Sequence, residues 1–159
     1  MRVSPDLLAA DPPYDVAEPN DDMLFINGKV FGRRDAPALS LRGRRRDSLR
    51  GRLDDWEDPD DVYWILVPGH SSFSISLKMR RGDADLFAYQ SRVPTITTQS
   101  GNFRRRGLIS ASRRPGRRRD AVYIDNPGRA TRLAVAVRIF HPVRTLDAEY
   151  TLSARRLRH

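Results

Sequence analysis

The sequence lacks cysteine and has no long apolar run. The missing thiol excludes disulfide bonds, cysteine-ligated zinc and thiol catalysis. A helix that crosses a membrane needs roughly 20 apolar residues, and no stretch of the chain comes close, so we predict no membrane span. Histidine is also scarce, because only His70, His141 and His159 are present and their spacing does not match a zinc site. A length of 159 residues is still enough for one domain with its own core.

A serine-hydrolase site needs a nucleophile, a base and an orienting acid. His70 precedes Ser71 and Ser72, but neighbouring residues on a strand point to opposite faces. The segment also does not match the nucleophile pattern G-x-S-x-G. We therefore predict that the chain is not itself an enzyme. A hydrolase with an unrecognised site is the alternative, and a broad hydrolase assay would test it.

Acidic residues are concentrated in three short segments that contain no Lys or Arg, although the net charge is +9. These acidic segments are residues 15–22, 54–61 and 83–85. Carboxylates crowded in this way repel one another, and a hard cation with oxygen ligands, such as Ca²⁺, would offset the repulsion. Solvated turns and nearby arginines are the alternatives. For residues 83–85 we favour a turn whose Asp side chains accept hydrogen bonds from backbone amides.

The bases are almost all arginine, since Lys29 and Lys78 are the only lysines among 29 Lys and Arg residues. Arginine runs occur at residues 44–46, 104–106 and 117–119, with Arg113 and Arg114 close to the last run. They predict either a patch for an anionic polymer or only a coding bias toward arginine. Aromatic residues rarely accompany these runs, which disfavours specific nucleic-acid recognition.

Apolar alternation predicts an all-β fold. Phe73, Ile75, Leu77 and Met79 alternate with polar residues at period two, which is typical of a half-buried strand. The alternate residues Leu133, Val135, Val137 and Ile139 show a second such face, and we expect the two faces to pack together. Further strands are predicted at residues 28–31, 39–42, 49–53, 62–67, 86–89, 108–111, 121–124 and 148–154. A short helix is predicted at residues 4–10, after the capping residue Ser4.

Several motifs occur in an order that resembles the bacterial pre-peptidase C-terminal (PPC) domain. They are Glu18-Pro19-Asn20-Asp21-Asp22, Asp61-Val62-Tyr63-Trp64-Ile65-Leu66-Val67-Pro68-Gly69, Gly82-Asp83-Ala84-Asp85-Leu86, a Tyr-containing strand at residues 121–125, and Glu149-Tyr150-Thr151-Leu152. The resemblance covers about residues 17–156. It implies a jelly-roll-like antiparallel β-sandwich at residues 17–159, preceded by a short helix and linker at residues 1–16.

The resemblance also implies a role. PPC domains are accessory β-sandwiches of secreted peptidases, so the chain is expected to be a non-catalytic, secreted module that follows a subtilisin-like serine peptidase domain. The nucleophile motif Gly-Thr-Ser-Met-Ala of that class is absent. The expected partners are the upstream peptidase domain, a protein substrate or an anionic cell-surface polymer. A free-standing basic module that binds anionic glycan, cell wall or nucleic acid is the alternative.

Calcium-binding relatives, such as the collagenase members, share one metal between two acidic segments. The matching positions here are Glu18, Asn20, Asp21, Asp60 and Asp61. The sequence departs from those relatives at Val16, where they have another acid. The resemblance therefore predicts a Ca²⁺ site, for which Asp58 or a water would have to replace the missing ligand.

Overall fold

Two β-sheets stacked face to face form the protein. The computed structural model describes residues 20–26, 38–54, 59–96, 106–139 and 147–158. The elements in chain order are α1 (Met23–Ile26), β1 (Ala38–Ser40), β2 (Arg46–Asp54), β3 (Asp60–Val67), β4 (Ser71–Arg81), β5 (Ala84–Gln90), β6 (Leu108–Ser112), β7 (Asp120–Asn126), β8 (Thr131–Ile139) and β9 (Asp147–Arg156). The predicted all-β sandwich is confirmed. The helix predicted at residues 4–10 and the strand predicted at residues 28–31 lie outside the described residues.

The strands divide into a five-stranded sheet and a four-stranded sheet. The order is β1-β3-β8-β5-β6 in the first and β2-β9-β4-β7 in the second. Every pairing is antiparallel except β1 with β3, which is parallel. This parallel pair lies at the edge of a sandwich whose other described pairings follow the predicted antiparallel arrangement. Between β1 and β3 the chain crosses to the other sheet to form β2, and such a crossover lets two strands run in the same direction.

The main core lies between the two sheets. The predicted contact is confirmed, because Phe73, Ile75 and Leu77 of β4 share one buried cluster with Val135 and Val137 of β8. Alternation explains the cluster, since every second side chain of a strand points to the same face. All five of these side chains are almost fully shielded from solvent.

A smaller apolar cluster covers the outer face of the five-stranded sheet. Met23 and Ile26 of α1 pack there with Trp64, and Val93 and Ile96 from the segment after β5 complete the cover. The indole Nε1 of Trp64 donates a hydrogen bond to the backbone oxygen of Ile26 at 2.9 Å. The sequence prediction did not include α1. Four residues are too few to produce a helical period that a sequence reading would detect.

Candidate functional site

The structure brings residues 20–22, the described end of the first acidic segment, to the start of β3, where the second acidic segment ends. The amide of Val62 donates to the backbone oxygen of Asn20 at 2.8 Å, and Asn20 itself is fully buried. Asp21 is half-buried beside it. Thus Asn20 and Asp21 lie next to the strand that carries Asp60 and Asp61. The fifth predicted calcium ligand, Glu18, lies outside the described residues.

Asp60 forms a bidentate ion pair with Arg138 of β8. The Nε and Nη2 atoms of Arg138 donate to the two carboxylate oxygens, and the Nη2 to Oδ2 distance is 2.7 Å. Burial by itself would lower the pKa of the guanidinium, but the hydrogen bond to Asp60 and the charge of Asp60 outweigh it and raise that pKa. Both oxygens of Asp60 are therefore already bound by a cation, and Ca²⁺ would have to compete with Arg138 for them.

Asp61 points to the opposite face of the same sheet, into the main core. The hydroxyl of Tyr150, from the four-stranded sheet, donates to its Oδ2 atom. The hydroxyls of Tyr63 and Tyr150 lie 2.7 Å apart. Since Tyr150 gives its proton to Asp61, Tyr63 is the donor to Tyr150. Asp61 thus links the two sheets through buried hydrogen bonds, and adjacent strand positions separate it from Asp60.

Asp22 ties the N-terminal segment to the segment after β5. Its Oδ1 atom accepts hydrogen bonds from the amides of Met23 at 2.6 Å and Ile96 at 2.8 Å. The hydroxyl of Thr95 donates to its Oδ2 atom. These contacts give Asp22 a structural role at the edge of the smaller apolar cluster.

Within the described part of the chain, no group of three or more His, Cys, Asp or Glu side chains is arranged to hold a metal ion. Asn20, Asp21 and Asp61 carry side-chain oxygens of the kind that bind Ca²⁺, and Glu18 belongs to the same predicted set. The calcium site stays a prediction.

A third set of buried carboxylates holds the β6–β7 loop. The Oδ2 atom of Asp83 accepts a hydrogen bond from the amide of Gly116 at 2.8 Å. The Oδ1 atom of Asp120 accepts from the hydroxyl of Ser112 at 2.5 Å and from the amide of Arg114 at 3.0 Å. The prediction for residues 83–85 was right that a carboxylate binds a backbone amide. The amide of Gly116 belongs to a loop 33 positions away, and strand pairing alone brings it there.

Asp85 lies close to these acids and is itself buried. The pKa of its carboxyl is raised from 3.8 to about 6. Burial is the largest cause, the charges of Asp120 and Asp83 add to the rise, and Arg113 and Arg138 oppose it. The carboxyl group therefore changes charge near neutral pH. Arg113 also lies over the ring of Phe87, with the guanidinium carbon 5.0 Å from the ring centroid.

His70 and Ser71 occupy the β3–β4 turn. His70 is exposed and has a positive φ of 47°, which is uncommon outside glycine. The hydroxyl of Ser71 donates to the backbone oxygen of Pro68 at 2.8 Å. The Ser71 hydroxyl is thus used to close the turn.

Four arginines converge on a recess in the outer face of the four-stranded sheet. Strand pairing places Arg46 of β2, Arg155 of β9, Ser74 of β4 and Tyr123 of β7 in one row across the sheet. Ser153 and Ser76 follow in the next row on the same face. Together with Arg114 and Arg119 they line a cavity of about 500 Å³, which we call the arginine recess.

The arginines of the recess form no ion pair with any carboxylate of the described residues. The Nη2 atom of Arg119 donates to the hydroxyl of Ser76 at 2.8 Å. Tyr123 presents an exposed ring at the same place, with 71% of its surface accessible. The recess therefore combines positive charge, hydroxyl groups and one exposed aromatic ring.

The sequence analysis assigned Arg46 to one arginine run, placed Arg114 and Arg119 in or beside another, and did not single out Arg155. Their convergence depends on which strands pair. The period of two in β4 and β9 was the available signal, since Ser74, Ser76, Ser153 and Arg155 all occupy outward positions.

No helix in the described residues is long and apolar enough to cross a membrane.

The described strands form a basic, two-sheet sandwich with the fold of a PPC domain. The chain is similar to the pre-peptidase C-terminal domain of collagenase from Bacillus anthracis, with 14% identity and a TM-score of 0.52 over 76% of this chain and 95% of that one. The fold predicted from the PPC resemblance is thereby confirmed.

Two further similarities are to PliG, a periplasmic inhibitor of g-type lysozyme. The protein from Aeromonas hydrophila gives 11% identity and a TM-score of 0.46 over 76% of this chain and 96% of its own. The protein from Salmonella Typhimurium gives 8% identity and a TM-score of 0.41 over 77% of this chain and 100% of its own. No protein-family model and no curated protein matches the sequence.

Proposed function

We propose that this chain is a non-catalytic accessory module of a secreted subtilisin-like serine peptidase, where it assists substrate or surface engagement or folding. The supporting observation is the PPC-type sandwich, because the similarity spans 95% of a domain that belongs to a collagenase. The use of the Ser71 hydroxyl in a turn also favours a binding role over a hydrolytic one.

Two measurements test this proposal. The purified chain should not cleave casein, and the coding sequence just upstream should contain a subtilisin-like domain in the same reading frame. Casein cleavage that disappears in Ser71→Ala or His70→Ala would refute the non-catalytic role. An upstream frame without a peptidase domain would refute the accessory role.

A second candidate is a free-standing basic module that binds an anionic polymer. The arginine recess favours it, since four positive side chains line one cavity. The upstream coding sequence separates the two candidates, because only the first requires a peptidase partner.

We also propose that calcium stabilises the module. Glu18, Asn20 and Asp21 would supply ligands from the first acidic segment. The predicted ligands at the start of β3 are Asp60 and Asp61, whose side chains lie on opposite faces of the sheet, so only one of the two carboxylates would reach the same ion. The support is the pair of hydrogen bonds between Asn20 and Val62, which join the described end of the first segment to β3. Because Asp60 already forms an ion pair with Arg138, it is the least available of these predicted ligands.

A further inference from the structure

We propose that the arginine recess is a binding site for an acidic polysaccharide, with Arg46 and Arg155 as the central anion contacts. The proposal rests on the binding role given above and not on the link to a peptidase.

The concentration of positive charge in the recess favours the binding of an anion. Arg46 and Arg155 are cross-strand neighbours, and Arg114 and Arg119 approach from the β6–β7 loop. Like charges on opposing strand positions destabilise a sheet, and the described residues offer these arginines no carboxylate as an ion-pair partner. Guanidinium groups bind carboxylate, sulfate and phosphate oxygens in a bidentate manner. A bound polyanion would offset the mutual repulsion.

The loop that carries Arg114 and Arg119 is held in place by the protein itself. Asp120 accepts a hydrogen bond from the amide of Arg114, and Asp83 accepts one from the amide of Gly116. Arg119 is fixed further by its hydrogen bond to Ser76 on the floor of the recess. A site whose side chains are held before binding loses less conformational entropy when the ligand arrives.

The remaining lining favours a polysaccharide over a nucleic acid. Hydroxyls of Ser74, Ser76 and Ser153 can exchange hydrogen bonds with sugar hydroxyls, since each donates one and accepts two. Sites for single-stranded nucleic acid stack successive bases on several aromatic rings. Among the described residues that line the recess, Tyr123 is the one aromatic residue. The volume of about 500 Å³ lies within the range of small-ligand sites.

The experiment compares two double variants with the same charge change. Arg46→Gln with Arg155→Gln removes two charges from the recess. Arg50→Gln with Arg80→Gln removes two exposed charges from the same face of the sheet, outside the recess. These two arginines line a separate pocket that also contains Glu149. Thermal melting should show that both variants stay folded, because all four side chains are exposed.

Affinity is measured for dextran sulfate, alginate, neutral dextran, polyglutamate and oligothymidylate. We expect the parent chain to bind the two acidic polysaccharides and not dextran. The recess variant should lose affinity about tenfold or more, and the control variant less than about threefold. Binding should weaken as salt rises. Binding of only one acidic polysaccharide would identify the preferred anion as sulfate or carboxylate and would support the site.

Several outcomes would overturn the proposal. Equal losses in the two double variants would mean that net charge alone attracts the polymer. Polyglutamate bound more tightly than alginate would assign the recess to an acidic peptide, and tighter binding of oligothymidylate would assign it to a nucleic acid. If no polyanion binds, the recess proposal fails, while the accessory role still depends on the upstream coding sequence and the casein assay.

Discussion

At the scale of single residues, the buried carboxylates have different partners. Their contributions to stability should therefore respond differently to substitution and to pH. Asp60 binds a guanidinium, Asp61 accepts a tyrosine hydroxyl, and Asp120 accepts a serine hydroxyl and a backbone amide. Asp85 has its pKa raised by burial. Substitution of each acid should therefore change the stability of the fold, and its dependence on pH, in a different way.

Replacement of Asp60 by alanine should strongly destabilise the fold. Arg138, whose side chain is only 17% exposed, would be left as a buried charge without its main partner. Breaking such a pair costs about 3 kcal/mol of unfolding free energy. Urea denaturation measures the loss. The control is Arg44→Ala, which breaks the Arg44–Asp47 pair at a side chain that is 67% exposed and should cost less than about 1 kcal/mol. Equal effects would contradict the importance of the buried pair.

The stability of the parent chain should depend on Asp85 between about pH 4 and pH 7. The folded state holds the proton more tightly than the unfolded chain, because the pKa rises from 3.8 to about 6. The contribution of Asp85 is thus fully present below pH 3.8 and is lost as the pH rises through about 6. Asp85→Asn cannot ionise, so at pH 7 it should be more stable than the parent by on the order of 2 kcal/mol.

Thermal melting from pH 4 to pH 8 checks this expectation. Asp125→Asn removes an exposed carboxylate from β7 and is the matched control. The stability difference between Asp85→Asn and the parent should grow with pH, and the control should follow the parent. A difference that does not change with pH would show that Asp85 ionises normally in the folded protein.

At the scale of elements, alternate side chains of β4 point to the two opposite faces of its sheet. Phe73, Ile75 and Leu77 point into the core, while Ser74 and Ser76 line the arginine recess. The sequence predicted this alternation directly, because burial of every second side chain is a local property of an extended strand. It did not predict which neighbours complete the outer face, since Arg155 and Tyr123 reach Ser74 only through pairing with distant strands.

Substitutions at adjacent positions of β4 should have very different effects. Leu77 is completely buried, and Leu77→Ala should cost about 3 kcal/mol through lost packing and the cavity left behind. Lys78 is exposed on the opposite face, and Lys78→Ala should change stability by no more than about 0.5 kcal/mol. Urea denaturation of both variants tests the assignment. Comparable losses at the two positions would mean that the register of β4 is wrong.

At the scale of the whole molecule, one segment outside the sheets holds several parts of the sandwich together. Asn20 contacts β3, Asp22 binds Thr95 and Ile96, and α1 packs on Trp64. Ca²⁺ at the first acidic segment would strengthen this attachment.

Calcium should raise the melting temperature of the intact chain. Binding to the folded state alone stabilises it by about 2.7 kcal/mol when the free ion is a hundredfold above Kd, which corresponds to an increase of several degrees for about 160 residues. Melting in EGTA and in millimolar Ca²⁺ measures the shift. Asp21→Asn should reduce it, and Asp125→Asn should not. An identical melting temperature in both conditions would refute the calcium site, and an undiminished shift in Asp21→Asn would place it elsewhere.

The sequence by itself determined the strand content and the two apolar faces of β4 and β8, because period-two burial and turn residues act over short distances. The PPC-type sandwich was predicted from the resemblance of the ordered motifs to that family. Only the tertiary structure decided the partners of the charged groups. Asp60 and Asp61 are adjacent in sequence, yet one binds Arg138 and the other binds Tyr150 in the opposite sheet. Arg46 and Arg155 lie far apart along the chain, yet they are neighbours across two strands. Such contacts follow from long-range pairing, which no local pattern specifies.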